Sequence, residues 1–288
     1  MGVSSNWRSR VVAFFACLVV VAASRGAAAP PPQDKPAPKV VARIAFAGDS
    51  IVDNYWEAIG RVIDAKACLK ASVVLGRFAH NGTGLSRGDR LYWPREVRRI
   101  GETFKPDLFV LSIGLNDRQF IVDGNGVRTA WGAPDWADKY REQIIAFLTA
   151  AAASKAGVLL VGLPVVRDAQ ENADLREKNQ MFAAAVATVG APHMQYLEPW
   201  RLKPTGPDAF ASYGPDRSGR MVQIRTGDGE HFTVAGEDVV ALYLYPKIVT
   251  ALAQMGTPLE RACGPDDKPA ASPADTTAGT RVEQKKEP

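Results

Sequence analysis

A serine hydroxyl becomes a nucleophile only when a base takes its proton and a further group holds that base in place. The chain contains three histidines, His80, His193 and His231. His231 stands three positions after Asp228 in Thr226-Gly227-Asp228-Gly229-Glu230-His231. In such a turn the carboxylate can reach Nδ1 and leave Nε2 free. His193, beside Pro192 at the start of a strand, reads as structural; His80, in a glycine loop, is either solvent-exposed or a minor site residue. An Asp-x-x-His turn alone is an ordinary surface feature, so its meaning depends on a serine for it to serve. Ser50 is that serine. The apolar run Arg43-Ile44-Ala45-Phe46-Ala47 ends abruptly in Gly48-Asp49-Ser50, and helical spacing follows.

Acyl transfer also needs donors aimed at the developing oxyanion. The Ser50 amide, at the start of a helix, supplies one and adds the helix dipole. Gly82 or Gly84, in the loop His80-Asn81-Gly82-Thr83-Gly84-Leu85-Ser86, can supply another, because a glycine amide approaches an acyl oxygen without a Cβ in the way. Asn116 can offer its side-chain N–H₂ from the end of a neighbouring strand. Each has an ordinary explanation singly; together they form a constellation with few bland ones.

These residues need rigid elements to bring them together. Apolar runs without alternation suit strands covered on both faces, and chemistry gathers at the carboxyl ends of such strands. Strands are expected around 43–48, 71–75, 108–113, 158–162 and 194–197. Helices are expected at about 51–66, 95–104, 138–154, 172–189 and 234–253, the last capped by Thr233. The stretches 118–136 and 201–225 read as loops, the first with aromatic residues that either line a substrate groove or pack down. Alternating strands and helices imply an α/β fold with a parallel sheet and right-handed crossovers.

Taken in order, Gly48-Asp49-Ser50, the glycine loop, Gly114-Leu115-Asn116-Asp117 and Asp228-x-x-His231 resemble the four sequence blocks of the SGNH (GDSL-type) hydrolases, over essentially the whole body from Ile44 to the last helix. The resemblance implies a flavodoxin-like three-layer α/β/α sandwich with a five-stranded, mainly parallel sheet. It implies Ser50 as nucleophile, His231 as base and Asp228 as its partner, with Asn116 and a glycine of the second block in the oxyanion hole and no metal or organic cofactor. Gly84-Leu85-Ser86 fits a Gly-x-Ser/Thr version of that block, which favours Gly84, with Gly82 as the alternative. The Asp-Gly-Glu-His-Phe-Thr block and Thr-Gly-Leu loop look most like a bacterial exported subgroup.

Two decoys are weaker. Gly84-Leu85-Ser86-Arg87-Gly88 matches a Gly-x-Ser-x-Gly elbow, which needs a strand before and a helix after; Gly88 and Pro94 follow instead. Gly82-Thr83-Gly84 lacks the spacing of a dinucleotide loop. With no His-Glu-x-x-His and no Cys-x-x-Cys, zinc is unsupported.

The ends of the chain place the body. Arg8 and Arg10, 13 apolar residues from Val11 to Ala23, and Ala27-Ala28-Ala29 have the order of a secretory signal over 1–29. The apolar run is short for a bilayer span, which favours a cleaved signal over a retained anchor and no stable membrane insertion afterwards. Residues 30–39 read as a Pro-rich tether, 40–263 as one hydrolase domain and 264–288 as a tail unable to bury enough apolar surface to fold. Removing 1–29 takes away three arginines and no acids, so the net charge of +4 falls to +1, and nothing argues for nucleic acid. Cys68 and Cys263 are either a disulfide tying the C-terminal end to the first helix or two unrelated thiols. The sequence carries no signal for an oligomeric state. The expectation is a periplasmic or secreted serine esterase acting on a small-molecule or polysaccharide ester such as O-acetyl groups. An acyltransferase with the same triad, or a non-catalytic envelope binding module, are the alternatives.

Overall fold

The computed structural model describes residues 40–123, 125–201 and 209–263; the signal, tether and tail expected at 1–29, 30–39 and 264–288 lie outside them. The chain runs β1 (Ala42–Gly48), α1 (Ser50–Asp64), α2 (Ala67–Ser72), β2 (Val73–Ala79), α3 (Trp93–Phe104) and β3 (Leu108–Ser112). A short pair follows, β4 (Ile121–Val122) and β5 (Arg128–Thr129), then α4 (Trp136–Ala152), β6 (Gly157–Val161), α5 (Ala169–Val189) and β7 (Met194–Leu197). A second hairpin, β8 (Tyr213–Pro215) with β9 (Met221–Gln223), precedes α6 (Val234–Gln254) and a closing 3₁₀ turn, Leu259–Ala262.

Five strands form one parallel sheet in the order β2-β1-β3-β6-β7. Counting sheet strands alone, this is the 2-1-3-4-5 order of flavodoxin-like folds. The chain moves one way from β1 to β2 and the opposite way from β2 onward. With right-handed crossovers that reversal puts α1 on one face and α3, α4 and α5 on the other; α6 returns to pack on α1. β1, β3 and β6 are buried almost throughout, as both-face coverage requires. The expected three-layer α/β sandwich is therefore the fold. Its switch point lies between β1 and β3, where the direction reverses and a crevice opens at the strands' carboxyl ends.

The elements differ from expectation in detail. The second strand starts at Val73, because Ala71 and Ser72 complete α2 and the Val73 N–H caps it on the Leu69 carbonyl. It then pairs with β1 for seven residues, from Ala42 opposite Val73 to Gly48 opposite Ala79. Helix α5 begins at Ala169, earlier than apolar periodicity indicated, because Asp168 caps it by accepting the Glu171 N–H at 2.7 Å. The polar stretch expected as loop from 201 to 225 contains the β8–β9 hairpin, whose turn is closed by Asp216 accepting the Ser218 and Arg220 amides at 2.8 and 3.0 Å. Thr233 caps α6 as expected, accepting the Gly236 N–H at 3.1 Å. Cys68 of α2 and Cys263 form a disulfide with Cα atoms 5.1 Å apart, which decides between the two cysteine readings.

Candidate active site

Gly48 ends β1 with φ near +149°, and a Cβ there would stand 1.8 Å from the Ser112 carbonyl oxygen, so only glycine lets β1 and β3 meet this closely. The next residue, Asp49, is fully buried. Its carboxylate caps α1 by accepting the Ile51 N–H at 3.0 Å and reaches across to β3's end, accepting the amides of Gly114 and Leu115 at 2.8 and 3.0 Å. Burial pushes the Asp49 pKa up to about 6 against the pull of those amides. Ser50 follows as the first residue of α1, its hydroxyl at the switch-point crevice.

A second buried carboxylate, Asp117, joins the third block to the second. It accepts the Leu85 and Ser86 amides at 2.8 and 2.9 Å, the Ser86 hydroxyl at 2.6 Å and the Tyr140 hydroxyl at 2.8 Å. Ser86 is fully buried and committed to this bond, which removes it as a competing nucleophile. A Cβ on Gly84 would fall 2.0 Å from Asp117 Oδ1, so Gly84 is glycine because the carboxylate packs against it. Gly82 is exposed, with open space around it and φ near +73°, and is glycine for its turn. Asn116 donates one Nδ2 hydrogen to the Thr83 carbonyl at 2.9 Å, which leaves the other free. Among the described residues, neither the Ser50 nor the Gly84 amide has a protein acceptor.

The base arrives from the far end of the chain. His231 Nε2 lies 2.7 Å from Ser50 Oγ and Nδ1 lies 2.9 Å from Asp228 Oδ2. Asp228 is held by its own turn: Oδ1 accepts the Thr226 hydroxyl at 2.6 Å and the amides of Glu230 and His231 at 2.8 and 3.1 Å. Partial burial raises its pKa, but these bonds and the His231 contact outweigh that and set it well below the ordinary carboxylate range. The turn needs Gly229, with φ near +82°, because a Cβ would meet the Arg167 side chain at 2.6 Å. Arg167 in turn donates to the Gly227 carbonyl at 2.9 Å.

Several residues that set this geometry escaped the sequence reading. Asn54, one turn beyond Ser50 on α1, donates to Glu237 at 2.7 Å and accepts the Phe232 N–H at 3.3 Å, fastening the residue after the base to the nucleophile's helix. Arg61 adds an ion pair to Glu237 at 2.7 Å. Asn54 and Arg61 lie on the α1 face that packs against α6, a pattern invisible until α6 is known to be its partner. Neither His80 nor His193 has a ring hydrogen bond to Ser50, Asn116, Asp228 or His231: the His80 side chain is 46% exposed, 3.8 Å from Glu96 and edge-on to Trp93, and His193 takes part through its backbone, its carbonyl accepting the Val158 N–H beside β7. In the 118–136 segment Trp136 packs down, donating to the Gln119 carbonyl at 2.9 Å, whereas Trp131 stays 39% exposed against its edge. Among the described residues no group of three or more His, Cys, Asp or Glu side chains is placed to hold a metal ion.

A family model described as "Protein of unknown function (DUF459)" matches residues 43–247, from β1 through the serine and the histidine into α6. The chain belongs to the DUF459 family. No curated protein sequence matches it. Among solved structures this DUF459 chain is similar to a carbohydrate esterase family 3 protein from Talaromyces cellulolyticus (16% identity, 74% of this chain and 99% of that one, TM-score 0.47). It is also similar to a GDSL-like lipase from Bacteroides thetaiotaomicron (18%, 74% and 90%, 0.45). A third is a catalytic mutant of an acetylxylan esterase from Geobacillus stearothermophilus (14%, 76% and 95%, 0.47). Within the DUF459 chain itself, the four blocks of the SGNH resemblance converge on one crevice.

Proposed function

We propose that this DUF459 protein is an exported serine esterase that forms an acyl-enzyme on Ser50. The observation that carries the reading is the continuous chain Ser50 Oγ, His231 Nε2, His231 Nδ1, Asp228 Oδ2, at 2.7 and 2.9 Å, beside unengaged amide donors. In the first half-reaction Ser50 Oγ attacks the ester carbonyl carbon while His231 Nε2 takes its proton. The carbonyl oxygen becomes an oxyanion received by the amides of Ser50 and Gly84 and by Asn116 Nδ2. Collapse expels the alcohol, which leaves with the proton from His231. Water then gives its proton to Nε2 and its oxygen to the acyl carbon, releasing the acid and restoring Ser50. Asp228 fixes the Nδ1–H tautomer and supports the imidazolium in both halves.

The signal over 1–29 and the tether after it support a periplasmic or secreted location, and with it an envelope substrate such as an O-acetylated polysaccharide. The test incubates the chain lacking 1–29 with a fluorophosphonate probe and with aryl acetates, beside Ser50→Ala. Expected are labelling and turnover that both vanish in the variant; an unlabelled, inactive wild type would leave a binding module instead. Turnover that rises on adding a sugar acceptor would assign acyl transfer. Fractionation of cells making the full chain tests export, with retention in the cytoplasm the contrary result.

A further inference from the structure

We propose that Lys178 is a positioning residue for the oxyanion side of the site, holding the 114–116 segment in register by gripping the Gly114 carbonyl. This rests on the esterase reading above. Lys178 lies in the middle of α5, yet it is only 2% exposed, which is rare for an ammonium group without a close partner. Its Nζ donates to the Gly114 carbonyl at 3.0 Å. The same peptide group donates its other end, the Leu115 N–H, to Asp49 at 3.0 Å. One peptide therefore lies between a buried cation at its oxygen and a buried carboxylate at its nitrogen, with the peptide dipole aligned to both. Burial pushes the Lys178 pKa down, while Asp117, Asp174, Glu171 and Asp49 around it favour the charged form.

The position of that peptide matters because of what flanks it. On one side Asp49 is bonded to Ser50's peptide; on the other, Leu115 leads directly to Asn116. Gly114 has φ near +118° and is hemmed by the Tyr140 hydroxyl and Phe182, so the segment has no slack on its far face. The Gly114 carbonyl also accepts the Asp117 N–H at 3.2 Å, which closes the 114–117 turn; Lys178 adds a charged donor to the same oxygen and biases the angle at which Asn116 leaves β3's end. No other described cation donates to this segment. Nothing in the sequence around Leu175-Arg176-Glu177-Lys178 marks this residue, since a lysine on a helix ordinarily faces solvent.

The test uses Lys178→Met, which keeps the stem and removes the charge, with Lys178→Gln as a shorter variant that retains a donor. On an aryl acetate, kcat should fall about tenfold with KM within about twofold, because a displaced oxyanion donor weakens the transition state rather than substrate binding. Lys178→Gln should fall between. In an Asn116→Ala background the Lys178→Met change should cost less than about twofold, since its effect passes through Asn116. By NMR the Leu115 amide and the Asn116 side-chain amide should shift in Lys178→Met while Thr226 and His231 stay. An unchanged kcat, a KM effect alone, a full tenfold loss in the Asn116→Ala background or unmoved Asn116 signals would each overturn the assignment. If the wild type hydrolyses no ester, the esterase reading fails, and the NMR comparison alone decides the role of Lys178.

Discussion

The two halves of the site are built on opposite plans. The nucleophile and oxyanion half is tied together by Asp49 and Asp117, both fully buried, through bonds that, apart from the Asp49 cap on Ile51, span 23 to 66 residues of sequence. In the base half the bonds that fix Asp228 span two or three residues, with the Asp228 side chain 45% exposed and that of His231 29%, while the turn's backbone is tied to the body by Arg167 and Asn54. Long-range bonds to buried carboxylates contribute to the fold as well as to the site, because an orphaned buried donor is costly. Local bonds in an exposed turn hold only the turn. Function and stability should therefore be coupled in the first half and separable in the second.

The largest effect belongs to the separable half. His231→Ala should lower kcat by about 10⁴-fold or more, because no other described group approaches Ser50 Oγ to take its proton. The melting temperature should stay within about 2 °C of wild type, as expected for a change outside the core. A large loss of stability in this variant would break the contrast, showing that the turn is part of the fold's frame.

Asp117→Ala sharpens the other side. It leaves the Leu85 and Ser86 amides and the Ser86 and Tyr140 hydroxyls without their acceptor, so the protein should lose about 3 kcal/mol or more of unfolding free energy. Activity per folded molecule should fall as well, because Gly84 loses the carboxylate it packs against. Denaturant melts beside active-site titration separate the two effects. An Asp117→Ala protein with wild-type stability would mean that the buried frame is not what holds the second block in place.

The contrast also explains what could be read from the sequence. Asp228 and His231 were legible because their partnership is local, three residues in a turn, and Ser50 because a buried strand that stops at Gly-Asp-Ser points to a sheet edge. β1, β3 and β6 were legible from unbroken apolar runs, whereas β2 was seen only in its first three residues, because Gly76 and Arg77 interrupt its run, and β7 is a short run broken by Gln195. Asp117 stood in plain view beside Asn116, but its role depends on Leu85 and Ser86 lying opposite it, which is a fact of the fold. Lys178 was hidden for a stronger reason: its residue type predicts exposure, and the Gly114 carbonyl and the carboxylates that surround it come together only in the fold. The β8–β9 hairpin was hidden because its strands are short and polar. The pairing of Cys68 with Cys263 needed the packing of α2 beside the closing 3₁₀ turn, 195 residues away in sequence.

The smallest expected effect tests the buried half without removing anything from it. Asp49 has an ordinary value of 3.8 raised to about 6 by burial, against bonds from the Ile51, Leu115 and Gly114 amides. The native state therefore holds a proton on Asp49 between about pH 4 and 6 that the unfolded state has released. Stability from this group is greatest at the acid end and declines as pH rises through that window, levelling off above it, with a total change of at most roughly 3 kcal/mol. Asp228, with its lowered pKa, acts in the opposite sense at more acid pH, so the informative quantity is the wild-type unfolding free energy minus that of Asp49→Asn, measured from pH 4 to 8. That difference should shrink as pH rises to about 6 and stay flat beyond. A difference that grows with pH would mean the three amides, rather than burial, set the charge of Asp49, and the nucleophile's frame would then be an anion site assembled in the core.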